Sequence, residues 1–114
     1  MSNDSFAYMV FTGQEDQVIS LQDAAVLTRS YRDAQPAAAF FIKAEYFSQE
    51  SLRRVLDQEG CVGIRAYYGK DDEGHSKLVI VGALSDGDDM VDGIILDKSI
   101  ACPYVCSSAN DLNS

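Results

Sequence analysis

The chain has 114 residues, 46% of them hydrophobic, which is one domain's worth of sequence with enough apolar content to close a core without disulfide or metal staples. Nine basic residues against 18 acidic ones give a formal net charge of −9, a balance that repels phosphate backbones and anionic lipid and argues against nucleic-acid or membrane-surface partners. No run reaches the roughly 20 apolar residues of a membrane span, and Asp4 stands where a secretory leader would carry Lys or Arg, so the expected setting is cytoplasmic. An acidic balance also suits a DNA mimic or a binder of basic proteins, but a solvated surface that keeps the chain soluble is the simpler reading.

Residues 1–18 form an N-terminal extension. Phe6, Tyr8 and Val10 alternate with Ala7, Met9 and Phe11, all apolar or aromatic, so the stretch is expected to add an edge strand or to pack against a partner. The single domain then runs over 19–106. A helix is expected from about Leu21 to Ala34, with Ser20 as its cap, Ile19 and Ala24 as a staple, and Pro36 as its stop. Leu21, Ala24, Ala25, Leu27, Thr28 and Tyr31 make the stripe of a helix lying on a sheet. Phe40, Phe41 and Ile42 then suggest a buried strand near 38–43, although the preceding alanines also suit a helix.

The second helix, near 49–58, is signalled by Ser48 as cap, Phe47 and Leu52 as staple, Glu50 at the positive dipole end and Gly60 at the left-handed C-terminal position. Leu52, Val55 and Leu56 are expected inward; Arg53 and Arg54 read as a solvated face rather than an anion site. A hairpin follows, with strands near 61–68 and 77–84 around the polar turn Asp71-Asp-Glu-Gly-His75. Val62, Ile64, Ala66 and Tyr68 alternate with Gly63, Arg65 and Tyr67, so both faces carry apolar groups. That is more than one layer of helices can cover, and it implies shielding by the N-terminal segment or by another copy of the chain. Gly63 and Gly82 suggest a bulge or the close approach of an aromatic ring. A polar turn over 85–93 leads to a short strand near 94–97, and residues 107–114 read as a frayed tail.

The segment Gln58-Glu-Gly-Cys-Val-Gly-Ile-Arg-Ala-Tyr67, the later Leu78-Val-Ile-Val-Gly82, the acidic Asp86-Gly-Asp-Asp89 and the closing Cys102-Pro-Tyr-Val-Cys106 carry a resemblance. Over about Ser20 to Cys106 the chain resembles a family of small uncharacterised bacterial proteins, chiefly of Bacteroidota. The resemblance implies the α+β fold and a bacterial cytoplasmic setting. It transfers no catalytic residue.

Three cysteines remain to be placed: Cys61, Cys102 and Cys106. Cys102 and Cys106 lie one residue further apart than the usual zinc-binding Cys-x-x-Cys, and three readings stay open for them: free thiols, a small-ring disulfide or redox pair, and metal ligands completed by Cys61, a carboxylate or a second subunit. The only histidine, His75, lies in the hairpin turn, about 24 Å from Cys61 at the usual rise per strand residue, so the two cannot share an ion or form a nucleophile and base pair. His75 therefore reads as a solvated loop residue. Asp86–Gly93 fails the EF-hand pattern, since Met90 occupies a ligand position and Gly87 falls too early. No phosphate loop, nucleotide fingerprint, nucleophile elbow or His-Glu-x-x-His is present, so no catalytic or cofactor-binding residue is named.

The fold expected is two-layer α+β, with two helices on an antiparallel sheet of about four strands. The function expected is a non-catalytic binding or assembly module acting through self-association or a protein partner, with Arg65, Tyr67 and Tyr68 as interface candidates. The alternative is a thiol-redox or metal-binding protein using Cys102 and Cys106.

Overall fold

The structure, a computed structural model, describes residues 10–114; the alternating stretch from Phe6 to Met9 lies outside the described residues. Residues 10–114 form an α+β fold with two helices and two antiparallel sheets. In chain order these are α1 (Leu21–Asp33), β1 (Ala44–Tyr46), α2 (Gln49–Leu56), β2 (Cys61–Lys70), β3 (Ser76–Leu84), β4 (Ile95–Leu96) and β5 (Ile100–Cys102). β2, β3 and β4 make one sheet with β3 in the centre; β1 and β5 make the other.

Both helices begin as their caps dictate. Ser20 Oγ accepts from the Asp23 N–H at 3.0 Å, and Ser48 Oγ accepts from the Ser51 N–H at 3.1 Å, each satisfying an N–H that the first turn leaves unpaired. α2 then buries Val55 completely against the three-stranded sheet. Gly60, at φ +87°, turns the chain into β2, a conformation that costs a residue with a Cβ about 1 kcal/mol or more. Gln58 ties the helix end to the sheet: its Nε2 donates to Val55 O at 2.8 Å, and its Oε1 accepts from the Ile94 N–H at 2.8 Å.

The β2–β3 ladder runs from Cys61 opposite Leu84 to Lys70 opposite Ser76, with a bulge between Cys61 and Gly63. The bulge expected at Gly63 is thus present. At Gly82 the close approach is by sulfur and amide rather than an aromatic ring: a Cβ there would stand 2.9 Å from Met90 Sδ and 3.1 Å from Cys61 Sγ. The core sits on the centre strand, where Ile80, Val81 and Ala83 are buried with Val55; Ala25 and Cys102 are the other buried apolar residues among those described.

Three expectations need correction. The strand expected near 38–43 is absent, and the strand lies at Ala44–Tyr46, in a separate sheet with Ile100–Cys102. A turn in which the Ala39 N–H donates to Pro36 O, with Ala38 at φ 64°, breaks extension before Phe40. Backbone pairing starts only where the Lys43 N–H reaches Cys102 O at 2.8 Å. Second, α1 lays little of its stripe on the hairpin sheet. Leu21, Leu27 and Tyr31 of the stripe are exposed, and the helix is held by Tyr31, whose hydroxyl donates to Ile42 O and whose ring meets Phe41 edge-on at 5.9 Å. Third, the tail expected to fray is tied down. Arg32 donates to the carbonyls of Leu112 and Ser114, Lys43 Nζ donates to Asn113 O, and Asn113 Nδ2 donates to Ser107 O.

The described part of the N-terminal extension adds no strand. The Val10 and Phe11 N–H groups both donate to Ser85 O, and Gly13 lies against Val62 beside the bulge.

Candidate interaction surface

β2 pairs with β3 on one side only, so among the described residues its other edge has no ladder partner. Alternation sends Arg65 and Tyr67 to one face and Ile64, Ala66 and Tyr68 to the other. The three interface candidates are therefore divided: Arg65 and Tyr67 stand together, and Tyr68 stands apart.

On the first face Arg65 and Tyr67 converge on Asp89, which the loop after β3 carries back over the sheet. Arg65 Nη1 donates to Asp89 Oδ1, the Tyr67 hydroxyl donates to Asp89 Oδ2, and Arg65 Nη1 also reaches Gly87 O at 3.0 Å. The Phe11 ring lies 5.4 Å from the guanidinium carbon, within cation–π range. The Tyr67 hydrogen bond and then the Arg65 pairing hold the Asp89 carboxyl below the ordinary carboxylate range. The same bond to Asp89 pushes the Tyr67 phenol and the Arg65 guanidinium up. The arrangement locks loop 85–93 onto β2, and sequence reading missed Asp89 because its partners are more than twenty positions away.

On β2 the second face is apolar and open. Tyr68 is 94% exposed and Ile64 44% exposed, and Ala66 between them is exposed as well. Beside Tyr68, a groove of about 360 Å³ runs between α1 and the hairpin, lined by Leu27, Tyr31, Ile42, Leu78 and Leu112. Across β1 a second hollow of about 650 Å³ is lined by Tyr46, Ile100, Cys102, Val105 and Cys106. Glu45 braces β1 between them, accepting from the Leu78 N–H at 3.0 Å and the Ser99 hydroxyl at 2.7 Å.

Of the three readings open for Cys102 and Cys106, the structure contains the disulfide. Their Cα atoms are 4.9 Å apart, because a turn over Pro103–Val105, closed by the Val105 N–H on Ala101 O, folds the chain back. Cys61 is a free, half-buried thiol that donates to Gly63 O at 3.1 Å, on a different sheet from Cys102. The metal set Cys61, Cys102 and Cys106 is thus not assembled, since two of its sulfurs are bonded to each other.

His75 is placed more closely than a solvated loop residue. Its ring meets Phe40 edge-on at 5.0 Å, and Phe40 packs on Tyr104 at 5.7 Å. Its Nδ1 lies 3.6 Å from both Asp71 Oδ2 and Glu73 Oε1. These three side chains, with ligand atoms within 4.8 Å of one another, are the only such group among the described residues. Turn bonds account for the cluster: Asp71 Oδ1 accepts from the Glu73 and His75 N–H groups at 2.9 Å each. The His75 backbone bond is the main cause of Asp71's lowered pKa. Asp71-x-Glu73-x-His75 was visible in the sequence, but hairpin-turn chemistry explains the same residues.

Among the described residues no helix is long and apolar enough to cross a membrane. No family model matches the chain, and neither a curated protein nor a solved structure matches it.

Proposed function

We propose that the chain is a binding or assembly module that acts by self-association, closing its open apolar surface against a second copy. The observation that carries this reading is the area left uncovered. The accessible surface is 8399 Å², whereas a compact chain of this mass exposes about 6,200 Å². Giving residues 1–9 the full area of an extended chain still leaves an excess of about 1,100 Å² over a compact protein. A standard interface buries about 800 Å² per partner, so the uncovered area is of the size one stable contact needs.

The composition of that area fits the same reading. Tyr68, Ile64, Leu27 and Tyr31 are all at least two-fifths exposed, and the buried apolar set among the described residues, Ala25, Val55, Ile80, Val81, Ala83 and Cys102, is small. Aromatic groups clustered on one side are the usual material of interface cores. Native mass spectrometry at tens of micromolar tests the reading: a dimer or higher oligomer is expected, and a monomer across the whole concentration range overturns it.

A second reading rests on the disulfide. Cys102 and Cys106 line the hollow beside β1, so a dithiol that reduced the ring to two thiols in a reducing cytoplasm would reshape that wall. A ring this short contributes only about 2 kcal/mol in the loop-entropy model, so a Cys102→Ser, Cys106→Ser double variant is expected to fold. Association unchanged in that variant removes the thiol reading and leaves the assembly reading intact.

A further inference from the structure

We infer that β2 itself is the join: its open edge pairs antiparallel with β2 of a second copy, on a two-fold axis through Ala66. The inference rests on the self-association proposed above and adds the element and the register.

The edge is long and little defended. β2 spans Cys61–Lys70; the Cys61 N–H donates to Gln58 O, but from Ile64 to Lys70 no described residue hydrogen-bonds to its outer side. Natural edge strands are blunted by proline, by bulges, by brevity or by inward-pointing charge. β2 has no proline, and its bulge lies at the start, between Cys61 and Gly63, where Gly13 also packs. From Ile64 to Lys70 nothing described interrupts the edge. The ordinary risk of such an edge is uncontrolled pairing, and a specific partner removes it.

Register follows from parity and charge. Directly opposed residues in an antiparallel ladder both turn their N–H and C=O toward the partner strand or both away from it. A strand paired with its own copy is therefore centred on a residue, never between two. Centres at Arg65 and Ala66 keep the longest overlap of Cys61–Lys70. Centring on Arg65 sets its guanidinium against its own copy, a like-charge pair, which is destabilising. Centring on Ala66 instead sets Ile64 against Tyr68 of the second copy, an apolar pair on the open face. It also sets Arg65 against Tyr67, which places each guanidinium beside a second aromatic ring. Gly63 then faces Gly69, so no bulk stands in the way at either end. The result is a continuous sheet in which each copy covers the Tyr68 of the other.

The test is a cysteine placed on the axis. Ala66→Cys in a Cys61→Ser background brings two sulfurs together, because opposed Cα atoms lie about 4.5–5.5 Å apart, inside the range a disulfide spans. Tyr68→Cys in the same background is the control, since its copy sits four residues along, about 14 Å away. Under mild oxidation, non-reducing gels are expected to show at least ten times more covalent dimer for Ala66→Cys than for Tyr68→Cys. Should Cys61→Ser fail to fold, Ala66→Cys with Cys61 retained gives the same answer by peptide mapping of the linked residues. An oligomer by native mass spectrometry without a link through position 66, or with a stronger link through 68, overturns the β2 register and leaves the assembly reading standing. A monomer overturns both.

Discussion

β2 and β3 are opposite sides of one hairpin, alike in apolar content and unlike in burial. Ile80 on β3 is 4% exposed, while Ile64 on β2 is 44% exposed, although the two strands share a ladder. The difference is position. β3 has strands on both edges, whereas β2 has one neighbour and an open flank. Apolar alternation thus reports what a strand is able to bury, and its place in the sheet decides what it does bury within one chain.

The largest effect is expected at the buried strand. Ile80→Asp sets a carboxylate without a partner in the core at a cost of several kcal/mol against a total stability of about 5–15 kcal/mol, so the cooperative thermal transition is expected to disappear. Val55→Ala, which opens space in the contact between α2 and the sheet, is expected to cost about 2 kcal/mol in a urea melt. The exposed strand answers differently. Tyr68→Asp is expected to leave the fold of the single chain intact and to shift the oligomer toward monomer by light scattering. A loss of fold in that variant would mean that β2 is supported from within the chain.

Asp89→Asn releases the loop that clamps the Arg65 face. The Asp89 pKa is lowered from its ordinary 3.8, so its contribution is present above that value and is lost as pH falls through the lowered one. The Tyr67 pKa is raised from its ordinary 10.0, so its contribution is present below that value and is lost as pH climbs through the raised one. The variant is therefore expected to melt a few degrees below the wild type near neutral pH, with the gap closing in strong acid. The smallest effect belongs to His75→Ala, within about 0.5 kcal/mol, because the turn is held by Asp71 bonds to backbone N–H groups rather than by the imidazole.

Local signals account for what the sequence revealed. Ser20 and Ser48 announce their helices because capping is settled within three residues, and Gly60 and the hairpin from Cys61 to Leu84 are likewise short-range features. The misplaced strand shows the limit of such signals. Phe40–Ile42 has the composition of a strand, but pairing belongs to Ala44–Tyr46, and its partner Ile100–Cys102 is more than fifty residues away with no turn to join them. The site was partly legible for the same reason. Arg65, Tyr67 and Tyr68 stood out on one strand, while Asp89, the groove beside α1 and the tail bonds of Arg32 arise from contacts that no local pattern encodes.

Closure of the open side of the hairpin by a second copy is read out by amide hydrogen exchange measured from below one to about a hundred micromolar. The β3 amides from Ile80 to Ala83 are expected to be protected at every concentration. Those of β2 from Ile64 to Lys70 that face the open edge are expected to gain protection as concentration rises, in step with the oligomer. Exchange of the β2 amides that stays fast at all concentrations would contradict that closure.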